Sequence, residues 1–386
     1  MSSESIHPFR IAIPQAELDD LRQRLTHARL PSELPNTGWS RGMPLDAVQE
    51  LSAYWETRYD WRQYEARLNE FPQFTTEIDG QPIHFLHVRS PEPDALPLIL
   101  THGYPSSFVE YLNVLAPLSD PRAHGDDPAD AFHLVVPSLP GFGFSIPLRA
   151  AGWESNRTAR AWVELMRRLG YERYGAEGGD IGSGISGALS GLDPQRVVGA
   201  HILSDQRGAA SMAGDPIPVT LEALSEDERS RLAELKKPSA EGKAYLQIQG
   251  TRPQTLAYAL TDSPVGQLAW IAEKFREWTD QESAFPDGVD RNLLLTNVSV
   301  YWFTRSGASA ANFIYEAAHY FEWSAPGPAP QGWAVFGGTD PVIRSLYDPE
   351  QKIAHWSAFE RGGHFPALEV PELLIQDTRA FFRHLR

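Results

Sequence analysis

The chain has 386 residues, a formal net charge of −16 at pH 7 and no cysteine, which leaves room for one large domain with insertions or for two domains. The missing cysteine excludes disulfides and thiolate metal sites, and the acidic charge argues against nucleic acid or an anionic membrane surface as a partner. A hydrophobic fraction of 42%, with 11 Trp, 13 Tyr and 18 Phe, predicts a sizeable core and an aromatic-lined pocket.

Residues 1–95 carry the pattern of an N-terminal approach segment. Apolar residues at helical spacing predict amphipathic helices over 14–30 and 45–64. Alternation on either side of Asp79-Gly80 predicts a β-hairpin over 74–88.

Buried strands and helices of the core are predicted from residue 96 onward. Apolar runs predict strands at 96–101, 132–137 and 197–203, and helical patterns cover 157–169 and 181–192. Residues 207–325 are helical in pattern and fall between two core strands, the usual place for an inserted cap. An Ala- and Pro-rich linker, residues 324–330, marks the boundary, and the core resumes over 326–386 with a final helix at 372–385.

The most informative motif is GGDIGSG, residues 178–184. Small residues two before, two after and three after Asp180 match a nucleophile elbow, a strand-to-helix turn too tight for bulky neighbours. An aspartate there attacks an electrophilic carbon and forms an alkyl ester, which restricts the reaction to opening epoxides or displacing halide. An aspartate that merely caps a helix is the alternative.

Further motifs supply partners for this nucleophile in the chain order of the α/β-hydrolase fold. In that fold the oxyanion hole takes one N–H from the loop after a core strand and one from the residue after the nucleophile. HGYP (102–105) follows a predicted strand, so these positions are Tyr104 and Ile181. His364, on the glycine loop RGGHF, is the candidate general base.

The candidate triad acid is Asp340, because the segment AVFGGTDP, residues 334–341, predicts a strand that ends in this acid. It would orient His364 and stabilise its imidazolium form. Asp340 precedes a proline and is also a typical turn initiator. Asp348 and Glu350 are alternatives in the next segment.

Together these motifs resemble the microsomal-type epoxide hydrolases of the α/β-hydrolase superfamily. The similarity runs through nearly the whole chain: residues 1–95 resemble that family's N-terminal meander, and further signatures lie at 245–253, 257–266, 293–302 and 361–365. The resemblance implies an α/β-hydrolase fold with a helical cap inserted in the core. It implies neither a metal nor a cofactor, and the 12 histidines show no HExxH pair.

In the resembled family two cap tyrosines bind the epoxide oxygen and protonate it. Tyr245 matches the first position. The second follows a Tyr-x-Glu pattern, and counting back from Glu316 places Ile314 there, with Tyr315 displaced by one residue. One residue on a helix turns a side chain by about 100°. We nevertheless take Tyr315 as the candidate for this role.

The resulting hypothesis is an epoxide hydrolase that converts an apolar or aromatic epoxide and water to a vicinal diol. A haloalkane or haloacid dehalogenase on the same fold is the alternative, and an inactive relative that binds a hydrophobic ligand is a remote one. Bacterial relatives act in natural-product biosynthesis, including that of enediyne antibiotics, and the Arg-rich composition fits a bacterial source. No signal peptide or membrane-length apolar run is present, so we expect a cytoplasmic protein without a membrane anchor; a homodimer is left open.

Overall fold

Our computed structural model describes residues 5–214, 219, 221, 224–237, 242–280, 288–320 and 327–386. Within these residues a mixed sheet of nine strands runs in the order β1-β2-β3-β5-β4-β6-β7-β8-β9. The strands are β1 (His7–Phe9), β2 (Gln73–Ile78), β3 (Gln81–Val88), β4 (Leu96–Thr101), β5 (Phe132–Pro137), β6 (Tyr174–Gly179), β7 (Val197–Asp205), β8 (Gln331–Phe336) and β9 (His355–Ala358).

The strands from β4 onward are parallel, whereas β1, β2 and β3 add to one edge in antiparallel fashion. β4 and β5 are nearly continuous apolar runs that are buried on both faces, as parallel strands require. The predicted hairpin around Asp79-Gly80 is confirmed as β2 and β3. Because this hairpin belongs to the main sheet, the N-terminal segment is part of the core layer and not only an approach to it.

The N-terminal helices differ from the sequence prediction in one respect. The helix expected over 45–64 is two helices, because the Asp60 side chain accepts the backbone N–H of Arg62 at 2.9 Å and caps a new helix. The helices of this segment are α1 (Gln15–Thr26), α2 (Leu45–Thr57) and α3 (Trp61–Leu68).

The remaining helices cover both faces of the sheet and form the cap. In chain order they are α4 (Leu112–Ser119), α5 (Ser155–Arg168), α6 (Ile181–Leu192), α7 (Gln206–Met212), α8 (Glu226–Lys236), α9 (Ala244–Thr251), α10 (Pro253–Asp262), α11 (Pro264–Trp278), α12 (Arg291–Thr304), α13 (Ser306–Tyr320), α14 (Val342–Tyr347), α15 (Pro366–Glu369) and α16 (Pro371–Phe382).

Alternation along β6 shows that the sheet is the middle of three layers. Glu177 reaches the α16 side of the sheet, where His201 joins it to Asp377. Gly178, the next residue, faces α6 on the other side, where an added Cβ would lie 2.6 Å from the Gly182 carbonyl oxygen. α5 packs beside α6 on this second face.

The cap helices α8 to α13 come from the insertion between β7 and β8. The N-terminal segment ties the cap to the core, since the buried Trp55 of α2 donates its indole N–H to Ser299 of α12 at 3.0 Å. The first three residues of the predicted linker 324–330 lie outside the described residues. In the part of the chain described, no helix combines the length and the apolar character needed to cross a membrane.

Candidate active site

The candidate nucleophile lies in a strained turn between β6 and α6. Asp180 has φ +53° and ψ −125°, a backbone conformation that non-glycine residues rarely adopt. The turn passes so close to β4 that a Cβ added at Gly182 would stand 1.9 Å from the Thr101 carbonyl oxygen. A Cβ at Gly103 would come within 2.3 Å of the Asp180 Cβ. The predicted glycine spacing therefore has a direct steric cause.

Two backbone N–H groups hold the carboxylate of Asp180. The N–H of Tyr104 donates to Oδ1 at 2.9 Å, and the N–H of Ile181 donates to the same carboxylate. Burial alone would raise the pKa of Asp180, but His364 and these two donors outweigh burial and hold the pKa below its usual value. Tyr104 and Ile181 thus have the positions expected for an oxyanion hole, and they keep the nucleophile ionised.

His364 is placed between two carboxylates. It lies on the loop between β9 and α15, with Nε2 3.3 Å from Oδ2 of Asp180 and Nδ1 2.8 Å from Oδ2 of Asp205. Burial would lower the pKa of His364, yet the two carboxylates raise it well above its ordinary value. In the resting protein the imidazole is therefore protonated and paired with the ionised nucleophile.

The acid that orients His364 is Asp205, so the expected contact with Asp340 is not made. Asp205 is the last residue of β7 and is 8% exposed. Its Oδ1 accepts the N–H of Gly208 at 2.7 Å and caps α7, while Oδ2 faces Nδ1 of His364. Sequence reasoning missed this residue, although an acid at the carboxyl end of the strand beside the nucleophile strand was the available signal.

Asp340 has other partners. Its Oδ1 accepts the N–H of Val342 at 2.9 Å and lies 3.3 Å from a guanidinium nitrogen of Arg231. In the sheet Asp205 pairs in register with Phe336, the last residue of β8, so Asp340 comes four residues beyond the sheet edge.

Asp348 and Glu350, the alternative triad acids, also contact residues other than His364. Asp348 accepts the backbone N–H of Lys352 at 2.6 Å, and Glu350 forms an exposed ion pair with the side chain of the same lysine.

Tyr245 of α9 belongs to a row of aromatic rings that runs from Tyr104 to His364. Its ring lies nearly parallel to that of Tyr104, with 5.8 Å between centroids, and its other side meets Trp278 at 5.2 Å. Trp278 in turn lies 4.9 Å from the His364 ring. Burial, together with the charge of Asp180, raises the pKa of Tyr245 well above its usual value. The hydroxyl therefore stays protonated and able to donate.

Tyr315 is not brought to this row. Its ring stacks on the exposed His319 one turn further along α13, with 4.0 Å between centroids. The preceding residue, Ile314, is the one buried in the core. The one-residue offset seen in the sequence is thus a real rotation on the helix.

Two glutamates that sequence reasoning did not single out flank the site: Glu110 is buried and Glu369 is half-buried. Glu369 accepts the N–H of Phe365 at 2.9 Å and so fixes the loop that carries His364. Glu110 accepts the Ser106 hydroxyl in the segment after HGYP. Burial raises the pKa of each carboxyl to about 7.

Behind the sheet, His201, His355 and Asp377 are the one group of described residues close enough together to hold a metal ion. Their polar atoms already have protein partners: the His201 nitrogens face Glu177 at 2.8 Å and Asp377 at 2.9 Å, and His355 faces Asp377 at 2.9 Å. A protonated His201 between the carboxylates of Glu177 and Asp377 explains these contacts without a metal ion. We therefore interpret the group as a structural network of ion pairs.

Comparisons with known proteins agree with this geometry. The family model described as "Epoxide hydrolase N terminus" matches residues 6–111, and that of the alpha/beta hydrolase fold matches residues 97–371. Epoxide hydrolase 1 of Oryctolagus cuniculus is 33% identical over 99% of this chain and 89% of the relative.

Two solved structures of epoxide hydrolases are also similar to this chain over nearly its full length. The Aspergillus niger epoxide hydrolase superposes with a TM-score of 0.80 at 32% identity, covering 99% of this chain and 97% of the other. The juvenile hormone epoxide hydrolase of Bombyx mori gives a TM-score of 0.83 at 27% identity, covering 99% and 95%.

Proposed function

Since this chain belongs to the epoxide hydrolase family, in its microsomal-type branch with the α/β-hydrolase fold, we propose that it opens an epoxide to a vicinal diol through an ester on Asp180. The observation that carries the proposal is the carboxylate of Asp180, which accepts the backbone N–H groups of Tyr104 and Ile181 and faces His364 through Oδ2.

In the first step Oδ2 of Asp180 attacks an oxirane carbon and the C–O bond of the ring breaks. The carbon becomes an alkyl ester of Asp180, and the ring oxygen takes a proton from the hydroxyl of Tyr245. Because the pKa of Asp180 is held low and that of Tyr245 high, the nucleophile is ionised and the acid is protonated at the same pH.

In the second step water attacks the ester carbonyl and His364 takes one of its protons. The bond between the carbonyl carbon and the alkyl oxygen breaks, and the departing oxygen takes the other water proton to complete the diol. His364 is protonated beside the free carboxylate, but esterification removes the negative charge of Asp180. The pKa of His364 then falls, because one of the two carboxylates that raised it is neutral. The imidazolium passes its proton to the tyrosinate formed in the first step, and the neutral imidazole then acts as the base while Asp205 keeps it oriented.

The walls of the site support an apolar or aromatic epoxide. Tyr104, Tyr245 and Trp278 form a row of aromatic rings that begins beside the nucleophile, and the aliphatic Ile181 follows Asp180 in the chain. From the resemblance alone, we also propose that the epoxide is an intermediate of bacterial natural-product biosynthesis, such as that of an enediyne. Deleting the gene in the producing strain should make that epoxide accumulate.

The dehalogenase alternative has less support. It requires indole or amide N–H donors for the departing halide, and the indole N–H of Trp270, one such donor near the site, is donated to the Tyr104 hydroxyl. The relatives compared above are named as epoxide hydrolases.

The test is to turn the protein over with styrene oxide in H₂¹⁸O. Attack of water on the ester carbonyl leaves the water oxygen in the carboxylate, so the peptide containing Asp180 should gain about 2 Da over many turnovers.

The His364→Gln variant should form the ester but not hydrolyse it, and its Asp180 peptide should carry the mass of the epoxide. Diol formation with neither label nor adduct on this peptide would contradict the ester mechanism, and halide release without diol formation would favour the dehalogenase.

A further inference from the structure

The cap leaves the oxirane oxygen short of one proton donor. Ile314, at the position where the family pattern places its second tyrosine, offers no hydroxyl, and the ring of Tyr315 is stacked on His319. Two described cap tyrosines, Tyr245 and Tyr301, lie near Asp180; Tyr245 stacks on Tyr104, whereas the Tyr301 hydroxyl already donates to the carbonyl of Ser106 at 2.9 Å. A second donor, if the site has one, must therefore come from another part of the chain.

Tyr104 of the core meets the geometric requirement. Its own N–H lies 2.9 Å from Oδ1 of Asp180, so its side chain starts at the reacting centre. Its ring runs beside the Tyr245 ring at an interplanar angle of 7°. The two phenols form a parallel pair, one from the core and one from the cap, and the core member begins at the backbone N–H that holds Asp180.

The partners of the Tyr104 hydroxyl leave its proton available. The indole N–H of Trp270 can only donate, so the Tyr104 oxygen accepts in that contact. The fully buried amide of Gln249 approaches the same hydroxyl, but neither its nitrogen nor its oxygen has a hydrogen bond of ordinary geometry among the described residues. Such an unpaired buried amide is costly unless a ligand completes it.

We propose that Tyr104 is a catalytic residue that donates a second hydrogen bond to the oxirane oxygen, with Trp270 as a positioning residue for its hydroxyl. This inference rests on the proposed epoxide chemistry. When Asp180 forms the ester and the C–O bond breaks, the oxygen receives one proton from Tyr245 or Tyr104 and a hydrogen bond from the other. The tyrosinate regains its proton from the His364 imidazolium before water is cleaved, and the proton that His364 then takes from water restores the imidazolium.

The first measurement is the rate of ester formation in a single turnover with styrene oxide. Tyr104→Phe keeps the backbone N–H and the ring, and should slow ester formation roughly 10-fold or more, within the scale of a lost acid. Trp270→Phe should slow it less, and the double variant with Tyr245→Phe should be slower than either single variant. Tyr258→Phe, at an exposed position of α10, is the matched control and should equal wild type.

A second measurement does not depend on turnover. 4-Nitrophenol changes colour on ionisation, and hydroxyl donors stabilise its anion, so absorbance titration reports them directly. Tyr104→Phe should weaken nitrophenolate binding roughly 10-fold, on the scale of one charge-assisted hydrogen bond. A Tyr104→Phe variant that matches wild type in both assays would overturn the proposal. So would a Tyr315→Phe variant that shows both losses in its place.

These results also separate the two proposals. A wild-type protein that opens no epoxide, yet binds nitrophenolate through Tyr104, contradicts the proposed reaction but supports the donor. A wild-type protein that forms diol with an unaffected Tyr104→Phe variant contradicts the donor alone. If Tyr104→Phe fails to fold, loss of nitrophenolate binding in Trp270→Phe decides the point.

Discussion

At the scale of single residues, the site works because neighbouring charges set the protonation of each group. Burial disfavours the charged form of Asp180, but two N–H donors and His364 outweigh this effect and keep the carboxylate ionised. Burial likewise disfavours the charged form of His364, but two carboxylates outweigh this effect and keep the imidazole protonated. The pair is therefore stable only while the carboxylate is free. In the proposed reaction, ester formation breaks this balance, and the same imidazole changes from counter-ion to base.

Exchanging Asp205 for Asn tests which acid supports the base. Asn still caps α7, but it removes the charge that stabilises the imidazolium, so hydrolysis of the ester should slow on the order of 10²- to 10⁴-fold. Ester formation should change much less. Asp340→Asn is the matched control: its ion pair with Arg231 is partly exposed, and both steps should stay within about two-fold of wild type. Stopped-flow measurement of the two half-reactions would contradict us if the two variants exchanged behaviours.

At the scale of elements, contacts between residues close in sequence could be predicted, whereas contacts between residues far apart in sequence could not. The elbow around Asp180 is fixed by residues within one turn, so its glycines could be read from the chain. The contact between Asp205 and His364 spans 159 residues. It depends on the register of β7 against β8, which decides that Asp205 lies at the sheet edge and Asp340 beyond it.

Tyr315 shows the same limit on a helix. The offset from the family pattern was visible in the sequence, but whether the helix would adjust depended on which face of α13 packs inward. Ile314 fills that face and Tyr315 does not.

The ion network behind the sheet predicts a loss of stability at high pH. Burial would lower the pKa of His201, but Asp377 and Glu177 raise it to about 9, against about 6.5 for an unfolded histidine. The folded state thus holds this proton more tightly. Its stabilisation is complete below about pH 6.5 and is lost as the pH rises through about 9, and it amounts to roughly 3 kcal/mol.

Urea unfolding at pH 7 and pH 10 measures this effect. The wild type should lose more free energy of unfolding over that interval than a His201→Gln variant, which has no proton to release. Equal losses in the two proteins, or an NMR titration of His201 with a midpoint below 7, would contradict the prediction.

At the scale of the whole molecule, the N-terminal segment joins sheet and cap into one structure. β1 to β3 extend the sheet, while α2 and α3 pack on the cap through Trp55 and Trp61. Both indoles are 3% exposed. Core, cap and N-terminal segment should therefore lose structure together.

Trp55→Ala should destabilise the protein by about 3–5 kcal/mol, because it leaves a cavity and removes the partner of Ser299. Denaturant unfolding followed by circular dichroism should show a single transition at lower denaturant. Leu34→Ala, at a position 58% exposed, should change stability by less than about 0.5 kcal/mol. Separate transitions for cap and core in the Trp55 variant would argue against this cooperative role.

The position of Asp205 also defines how caps could be exchanged between relatives. Asp180, Asp205 and His364 all belong to the core, whereas Tyr245 and Trp278 arrive with the insertion that starts immediately after Asp205. A chimera spliced after Asp205 and before β8 would keep its own ester-hydrolysing machinery and adopt the donor's pocket wall and cap tyrosine. A junction a few residues earlier would replace Asp205 with the residue that the donor carries at the end of this strand. The junction of such a chimera must therefore lie after the last residue of β7.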